Sequence, residues 1–210
     1  MVSFGPEEFG TVLRESRLVG IVRGDGVGNT RDAVRVLFES GVRLVEVSLT
    51  GPGALEAIAA VSVPEGCWLG AGTVRTAANA SAAIAAGATF AVSPALTESV
   101  AACVTAGLPI LAGALTPTEV ETALSLGVEA VKLFPASAGG PAYLSALRQP
   151  FPDVPFVPVG GVGVAEAEAY LAAGAIAVGV GSPLVGDAAS GGDLTALAER
   201  AARFVKLTAS

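Results

Sequence analysis

Ser-Leu-Gly-Val-Glu-Ala-Val-Lys-Leu-Phe-Pro, running from Ser125 to Pro135, holds the unit from which this chain is built. A helical stretch ends at Gly127, and an apolar, strand-like run follows at once. Glycine after a helix suits a left-handed cap, because it has no Cβ to clash there. The same junction recurs as Glu-Ser-Gly41-Val, Ala-Ala-Gly87-Ala, Thr-Ala-Gly107-Leu and Ala-Ala-Gly174-Ala. Neighbouring junctions lie about 20 residues apart, or about twice that, which is the length of one helix, one strand and two short loops.

Counting the apolar runs predicts eight strands, at roughly 18–23, 42–48, 67–72, 89–93, 109–113, 129–134, 155–159 and 176–181. Helices fill the intervals, the last over about 193–206, and a short helix over 1–17 precedes the first strand. Asn29 or Thr30, Thr76, Thr97, Thr116 with Pro117, and Asp193 read as helix N-caps. Alternating short strands and helices imply parallel pairing with right-handed crossovers. Eight such units favour an α/β, single-domain (β/α)₈ TIM barrel over residues 1–210 rather than an open doubly wound sheet.

Composition narrows the chemistry. Hydrophobic residues make up 52% and charged residues 15% of the 210, as expected for a compact α/β domain rather than a disordered chain. A net charge of −7 disfavours a polyanionic partner, so no nucleic acid is expected. No apolar stretch runs unbroken far enough for a membrane span, and the N-terminus lacks a basic-then-apolar signal. Cys67 and Cys103 have no metal-ligand spacing and read as reduced core residues of a cytoplasmic protein. With no histidine in the chain, imidazole-based triads, Cys-His pairs and His-ligated zinc are excluded.

Lys132 is one of only two lysines, and it interrupts an apolar strand. A buried ammonium is costly unless it is paired or loses its proton. It is therefore either a structural lysine held by a carboxylate or a neutral nucleophile able to form a Schiff base. Alternation along the strand puts Val131 and Leu133 outward and Ala130, Lys132 and Phe134 inside. In the second strand Val45 and Val47 face outward, leaving Leu44, Glu46 and Ser48 inside. Lysine and glutamate thus meet near strand C-termini, where barrel enzymes place their chemistry.

Arg23 ends the first strand with the parity of Val19 and Ile21, either forking onto a carboxylate or sitting as a rim charge. Thr73 closes Gly-Ala-Gly-Thr (70–73), as a ligand contact or a plain strand end. Val-Gly-Gly-Val (159–162) and Val-Gly-Val-Gly-Ser (178–182) follow the last two strands, the usual place for a phosphate site in such barrels. Gly24-Asp25-Gly26-Val27-Gly28 imitates a dinucleotide fingerprint, but its third glycine comes one residue early, so it reads as a flexible loop over the barrel mouth.

Together these blocks resemble the 2-keto-3-deoxy-6-phosphogluconate (KDPG) aldolase family, which includes the 6-phosphogalactonate and 4-hydroxy-2-oxoglutarate (KHG) aldolases. The resemblance rests on Ile-Val-Arg-Gly (21–24), Val-Glu-Val-Ser-Leu-Thr (45–50), Gly-Ala-Gly-Thr-Val (70–74), Val-Ser-Pro (92–94), Lys-Leu-Phe-Pro (132–135) and the two glycine loops. It implies a class I aldolase that needs neither a metal nor a cofactor, a homotrimer acting on a phosphorylated keto acid. Lys132 looks like the Schiff-base lysine and Glu46 like the general acid/base. Thr73, Pro94 and Phe134 look like the pyruvate pocket, and Gly160, Gly161, Gly181 and Ser182 like the phosphate site.

Two positions depart from the pattern. Thr50 stands where some members carry an arginine for the substrate's anionic end, a role that Arg23 is placed to take. Val159 stands where gluconate-type members often have threonine, as galactonate-type members do, which bears on selectivity at C4. Read without the resemblance, the residues also fit a phosphate-binding barrel isomerase or synthase, or a non-catalytic phosphosugar-binding protein.

Overall fold

The glycine junctions are left-handed caps in the structure, a computed structural model that describes residues 5–209. Their φ angles are 90° at Gly41, 91° at Gly87, 69° at Gly107, 77° at Gly127 and 92° at Gly174. At Gly87 the closure is the two-bond Schellman pattern, with Ala88 N donating to Ala83 O and Gly87 N to Ile84 O, each at 3.0 Å. The pattern repeats at Gly41, Gly107 and Gly174. Each cap turns the chain directly into a strand, and the repetition wraps the sheet.

The strands are β1 (Leu18–Val22), β2 (Leu44–Ser48), β3 (Trp68–Gly72), β4 (Phe90–Ser93), β5 (Ile110–Ala114), β6 (Ala130–Leu133), β7 (Phe156–Pro158) and β8 (Val178–Val180). The helices are α1 (Pro6–Ser16), α2 (Val27–Glu39), α3 (Ala54–Ala60), α4 (Ala77–Ala85), α5 (Glu98–Thr105) and α6 (Pro117–Ser125), followed by α7 (Gly140–Arg148), α8 (Val164–Ala172), α9 (Ser182–Val185) and α10 (Leu194–Thr208). The eight strands pair in parallel in sequence order, with β8 beside β1. The last gap, between β7 and β8, is bridged by Val159 opposite Gly179 and by Ile176 N donating to Phe156 O at 3.0 Å. The result is a nearly closed eight-stranded barrel ringed by helices, as the sequence predicted.

Strand alternation sorts the core into two layers. Val45, Val47, Val131 and Leu133 pack outward under the helices. Leu44, Ala130, Val157 and Val19 pack inside the barrel. The predicted N-terminal helix forms as α1, whose Phe9, Val12 and Leu13 belong to the inner layer; residues 1–4 lie outside the described residues. Phe9 packs edge-on against Trp68, 5.3 Å between ring centres, and lies 5.1 Å from Phe90. Burying each such side chain contributes about 1.5–3 kcal/mol, and the helix packs into the barrel at the end where Trp68 and Phe90 open their strands.

Thr76, Thr116 and Asp193 cap their helices through side-chain oxygens, Thr116 in a reciprocal capping box with Glu119. Thr97 holds the cap position, but its hydroxyl pairs with Ser99 at 2.8 Å rather than with the backbone. The expectation for Asn29 or Thr30 is corrected. The helix starts earlier, at Val27 behind Gly26, with no side-chain cap, because Thr30 is buried against Gly24 instead of standing at the helix end. Val27 and Gly28 therefore lie in α2, and the stretch 24–28 is not the free loop expected. Its first part is held by Asp25 N donating to Ala189 O at 3.3 Å.

Both cysteines are free thiols. Burial pushes the Cys103 thiol up to about 11, which suits an inert core residue. No helix among the described residues is long and apolar enough to cross a membrane.

Candidate active site

Glu46 and Lys132 come from opposite arcs of the barrel and share its interior. Glu46 on β2 pairs in register with Ile21 and Gly70, and Lys132 on β6 with Gly113 and Val157. They are 2% and 6% exposed, so both functional groups stand largely outside bulk water. Burial lowers the Lys132 pKa from its ordinary value; Glu46 opposes that shift and Arg23 adds to it. Burial raises the Glu46 pKa, against the pull of Lys132 and Arg23. Desolvation dominates at both groups, so each moves toward its neutral form. Relative to water, burial thus favours the free amine at Lys132 and the protonated carboxyl at Glu46.

Glu46 Oε2 is buried without a hydrogen-bond partner among the described residues. An orphaned buried oxygen is costly and marks a place for a substrate group or a water. Room for the carboxyl comes from Gly72 on the neighbouring strand, where an added Cβ would lie 2.8 Å from Glu46 Cδ and Oε1. Gly72→Ala is therefore expected to push the carboxyl aside and lower kcat at least tenfold, while the melting temperature changes little. Steady-state kinetics beside a thermal melt check this, and a kcat within twofold of the parent would contradict it.

Lys132 Nζ sits 4.7 Å from the centre of the Phe134 ring. That face attracts a cation and would favour an iminium once formed. Phe134 also abuts Gly160, where a Cβ would lie 3.3 Å from the ring. Gly160 and Gly161 both adopt left-handed φ, 98° and 74°, which an L side chain rarely tolerates. Ala136 N donates to Val159 O at 2.8 Å and Ser137 N to Gly160 O at 3.1 Å, tying the loop after β6 to the loop after β7.

Thr73 follows β3 with φ of 60°, unusual for a β-branched residue. Strain of this kind concentrates at functional sites. Its hydroxyl lies 2.9 Å from Ser48 Oγ, which lies 2.9 Å from Thr50 Oγ1. Arg23 Nε donates to Thr50 Oγ1 at 3.1 Å. Pro94 is held behind the strands, its carbonyl against Gly113 and its neighbour Ser93 hydrogen-bonded to Ala95 O.

These groups line one cavity of about 580 Å³ at the C-terminal mouth of the barrel. Every predicted site residue borders it: Lys132 and Glu46 at the floor, Arg23, Thr73 and Pro94 on one side, Phe134, Val159, Gly160 and Gly161 on the other, with Gly181 and Ser182 beyond them. Sequence reasoning did not place Ile21, Val162, Gly179 and Pro183 in the lining. The parity of Ile21 with Arg23 was the available signal for the first of these. Gly179 admits the Val159 side chain, since a Cβ there would lie 2.6 Å from Val159 Cγ2. A second groove of about 450 Å³, between α8 and α10, includes neither Glu46 nor Lys132. Among the described residues no group of three or more His, Cys, Asp or Glu side chains could hold a metal ion.

Comparison with known proteins points the same way as the geometry. The family model for KDPG and KHG aldolases matches residues 10–199. A 2-dehydro-3-deoxy-phosphogluconate aldolase of Treponema pallidum (strain Nichols) is 41% identical over 165 residues, 76% of this chain and 78% of that protein. A probable 2-dehydro-3-deoxy-6-phosphogalactonate aldolase of Rhizobium meliloti (strain 1021) is 34% identical over 184 residues, 86% of this chain and 87% of that protein. The solved structure of a KDPG aldolase from Legionella pneumophila, with pyruvate captured at low pH as a covalent carbinolamine intermediate, superposes with a TM-score of 0.81. It is 30% identical and covers 95% of this chain and 96% of that one.

Proposed function

Because this chain belongs to the KDPG and KHG aldolase family, we propose that Lys132 is its Schiff-base nucleophile and Glu46 its general acid/base. The enzyme is a class I aldolase, a carbon–carbon lyase that splits 2-keto-3-deoxy-6-phosphogluconate or its 6-phosphogalactonate epimer into pyruvate and glyceraldehyde 3-phosphate. The observation that carries the residue assignment is the desolvated Lys132–Glu46 pair at the floor of the one cavity all the predicted residues share.

The chemistry follows from the protonation states that burial favours. The free amine of Lys132 attacks the C2 ketone, the nitrogen–carbon bond forms, the carbonyl π pair moves to oxygen, and a proton passes from the added nitrogen to that oxygen to give the neutral carbinolamine. Protonated Glu46 delivers its proton to the carbinolamine hydroxyl, which leaves as water and gives the iminium. Glu46, now a carboxylate, takes the C4 hydroxyl proton directly or through a water. The C3–C4 bond breaks, its electron pair passes into the enamine, and glyceraldehyde 3-phosphate departs. Protonation at C3 and hydrolysis of the iminium release pyruvate and restore the amine. Thr73, Pro94 and Phe134 form the pyruvate pocket in this reading. Gly160, Gly161, Gly181 and Ser182 receive the phosphate through bare backbone N–H groups and a hydroxyl. A homotrimer and a cytoplasmic setting, which the sequence reading also implied, belong to the same proposal.

Borohydride reduction in the presence of pyruvate tests the nucleophile. A pyruvate-derived mass increment mapped to Lys132 is expected; unmodified protein would return the isomerase or synthase reading, in which the same pair moves protons only.

Substrate preference turns on Val159, which is 7% exposed and lines the cavity. Valine offers no hydrogen bond to a C4 hydroxyl, whereas the nearly isosteric threonine does. Val159→Thr is expected to shift the ratio of kcat/KM values for the gluconate and galactonate epimers toward the gluconate by about threefold to tenfold, the worth of one net hydrogen bond. Parallel kinetics on both epimers check this, and an unchanged ratio would remove position 159 from the account of selectivity.

A further inference from the structure

The row of hydroxyls leading from Arg23 to Thr73 has no role in the proton transfers assigned to Lys132 and Glu46. Arg23 Nε donates to Thr50 Oγ1 at 3.1 Å, Thr50 Oγ1 lies 2.9 Å from Ser48 Oγ, and Ser48 Oγ lies 2.9 Å from Thr73 Oγ1. Three strand ends, those of β1, β2 and β3, are stitched together by this row.

The direction of the hydrogens follows from elementary chemistry. A guanidinium only donates, so Thr50 Oγ1 must accept from it. Each hydroxyl has a single hydrogen. Ser48, 1% exposed between two hydroxyl neighbours, can donate to one of them and must accept from the other. A cation at one end favours the order that turns oxygens toward it and hydrogens away. Thr50 then donates to Ser48 and Ser48 to Thr73, which leaves the Thr73 hydrogen free to point into the cavity. The two terminal nitrogens of Arg23 make no hydrogen bond among the described residues, and Arg23 and Thr73 border the same cavity.

We propose that Thr50 and Ser48 are positioning residues that couple Arg23 to Thr73, fixing the guanidinium fork and the Thr73 hydroxyl as paired donors for the carboxylate of the bound keto acid. Thr50 thereby holds Arg23 at the site of the arginine that is absent from its own position, rather than merely vacating it. The inference rests on the Schiff-base reading, since it is the pyruvoyl end of the substrate that must meet these donors. A hydroxyl relay of this kind acts before the bond-breaking step. It orients the ligand and takes no part in the proton transfers of Glu46 and Lys132.

The test uses the intact enzyme, with the pyruvate concentration that half-saturates borohydride trapping and the KM and kcat for the phosphorylated keto acid as readouts. Thr50→Val keeps the shape and removes the hydroxyl. It is expected to raise both half-saturation and KM roughly fivefold to tenfold, the scale of one net hydrogen bond, with kcat within twofold. Thr50→Ser, which keeps the hydroxyl, should restore near-parent values. Ser48→Ala should match Thr50→Val, and the double variant should be no worse than either single one, as for members of one chain. The coupling is overturned if Thr50→Ser fails to rescue, if the two single losses multiply, or if the loss falls on kcat. It is also overturned if only the phosphorylated substrate is affected, which would put Arg23 at the phosphate. A parent enzyme that gives no adduct at all would instead overturn the Schiff-base reading, so the two failures are distinct.

Discussion

In the Lys132→Met variant, cleavage of the phosphorylated keto acid is expected to fall by more than the roughly 10²- to 10⁴-fold that general acid–base catalysis usually supplies. The pyruvate adduct trapped by borohydride should disappear with it. The reason for so large a loss is that the lysine supplies the electron sink itself. Without an iminium, the electron pair of the breaking C3–C4 bond has only a ketone to enter. Methionine is an apt replacement because Lys132 is 6% exposed and its side chain already runs through apolar surroundings beside Phe134. Its unbranched thioether fills that path and removes a charge that was costly to bury. Glu46 loses an attractive partner, so its pKa rises further, which favours its neutral form over an unpaired buried charge. The variant should therefore fold, and its melting temperature separates lost chemistry from lost structure. Near-parent cleavage in a folded Lys132→Met protein would remove the lysine from the mechanism.

Much of this arrangement was legible in the sequence because two periodic signals reinforce each other. Gly41, Gly87, Gly107, Gly127 and Gly174 mark helix ends in a conformation that other residues resist. Such a signal survives in a single sequence. Strand parity then placed Glu46 and Lys132 on the inner face, since a side-chain period of two leaves no intermediate choice. The start of α2 was misplaced because Thr30 has the composition of a cap but is drawn into a buried contact with Gly24, and tertiary packing overrode local preference. The left-handed Thr73 was invisible for a related reason: neither its composition nor its neighbours announce a positive φ.

The link from Arg23 through Thr50 and Ser48 to Thr73 lay beyond reach in a different way. Local pattern placed each residue near a strand end, but their contact depends on register. Ser48 sits opposite Gly72, and Val22 opposite Val47, so the three strand ends finish at one level. Periodicity gives the face of a strand and says little about its height in the barrel. The same limit applied to the space around Glu46. That Gly72 clears room for the carboxyl is a statement about which strands are neighbours and how they are staggered.

The Glu46→Gln variant separates the two halves of the catalytic pair, because it should lose turnover while leaving the nucleophile in place. Its kcat is expected to drop about 10²- to 10⁴-fold, the usual range for a positioned acid/base. Pyruvate should still be trapped at Lys132, but more slowly, since the amine remains while the proton donor for carbinolamine dehydration is lost. The pH dependence of trapping gives the sharper reading. In the parent, burial lowers the Lys132 pKa, and whenever Glu46 is ionised its charge holds that pKa partly up. Glutamine removes only the second influence, so the lysine pKa falls further. The rise of trapping with pH should move toward acid, with more free amine at any given neutral pH. Glutamine carries no charge to desolvate, so the protein should be at least as heat-stable as its parent near neutrality. An alkaline shift, or parent-like kcat, would mean that Glu46 neither supports the lysine charge nor moves the substrate's protons. Slowed trapping together with lost turnover would place the carboxyl, whose Oε2 has no partner among the described residues, at both the dehydration and the bond-breaking steps.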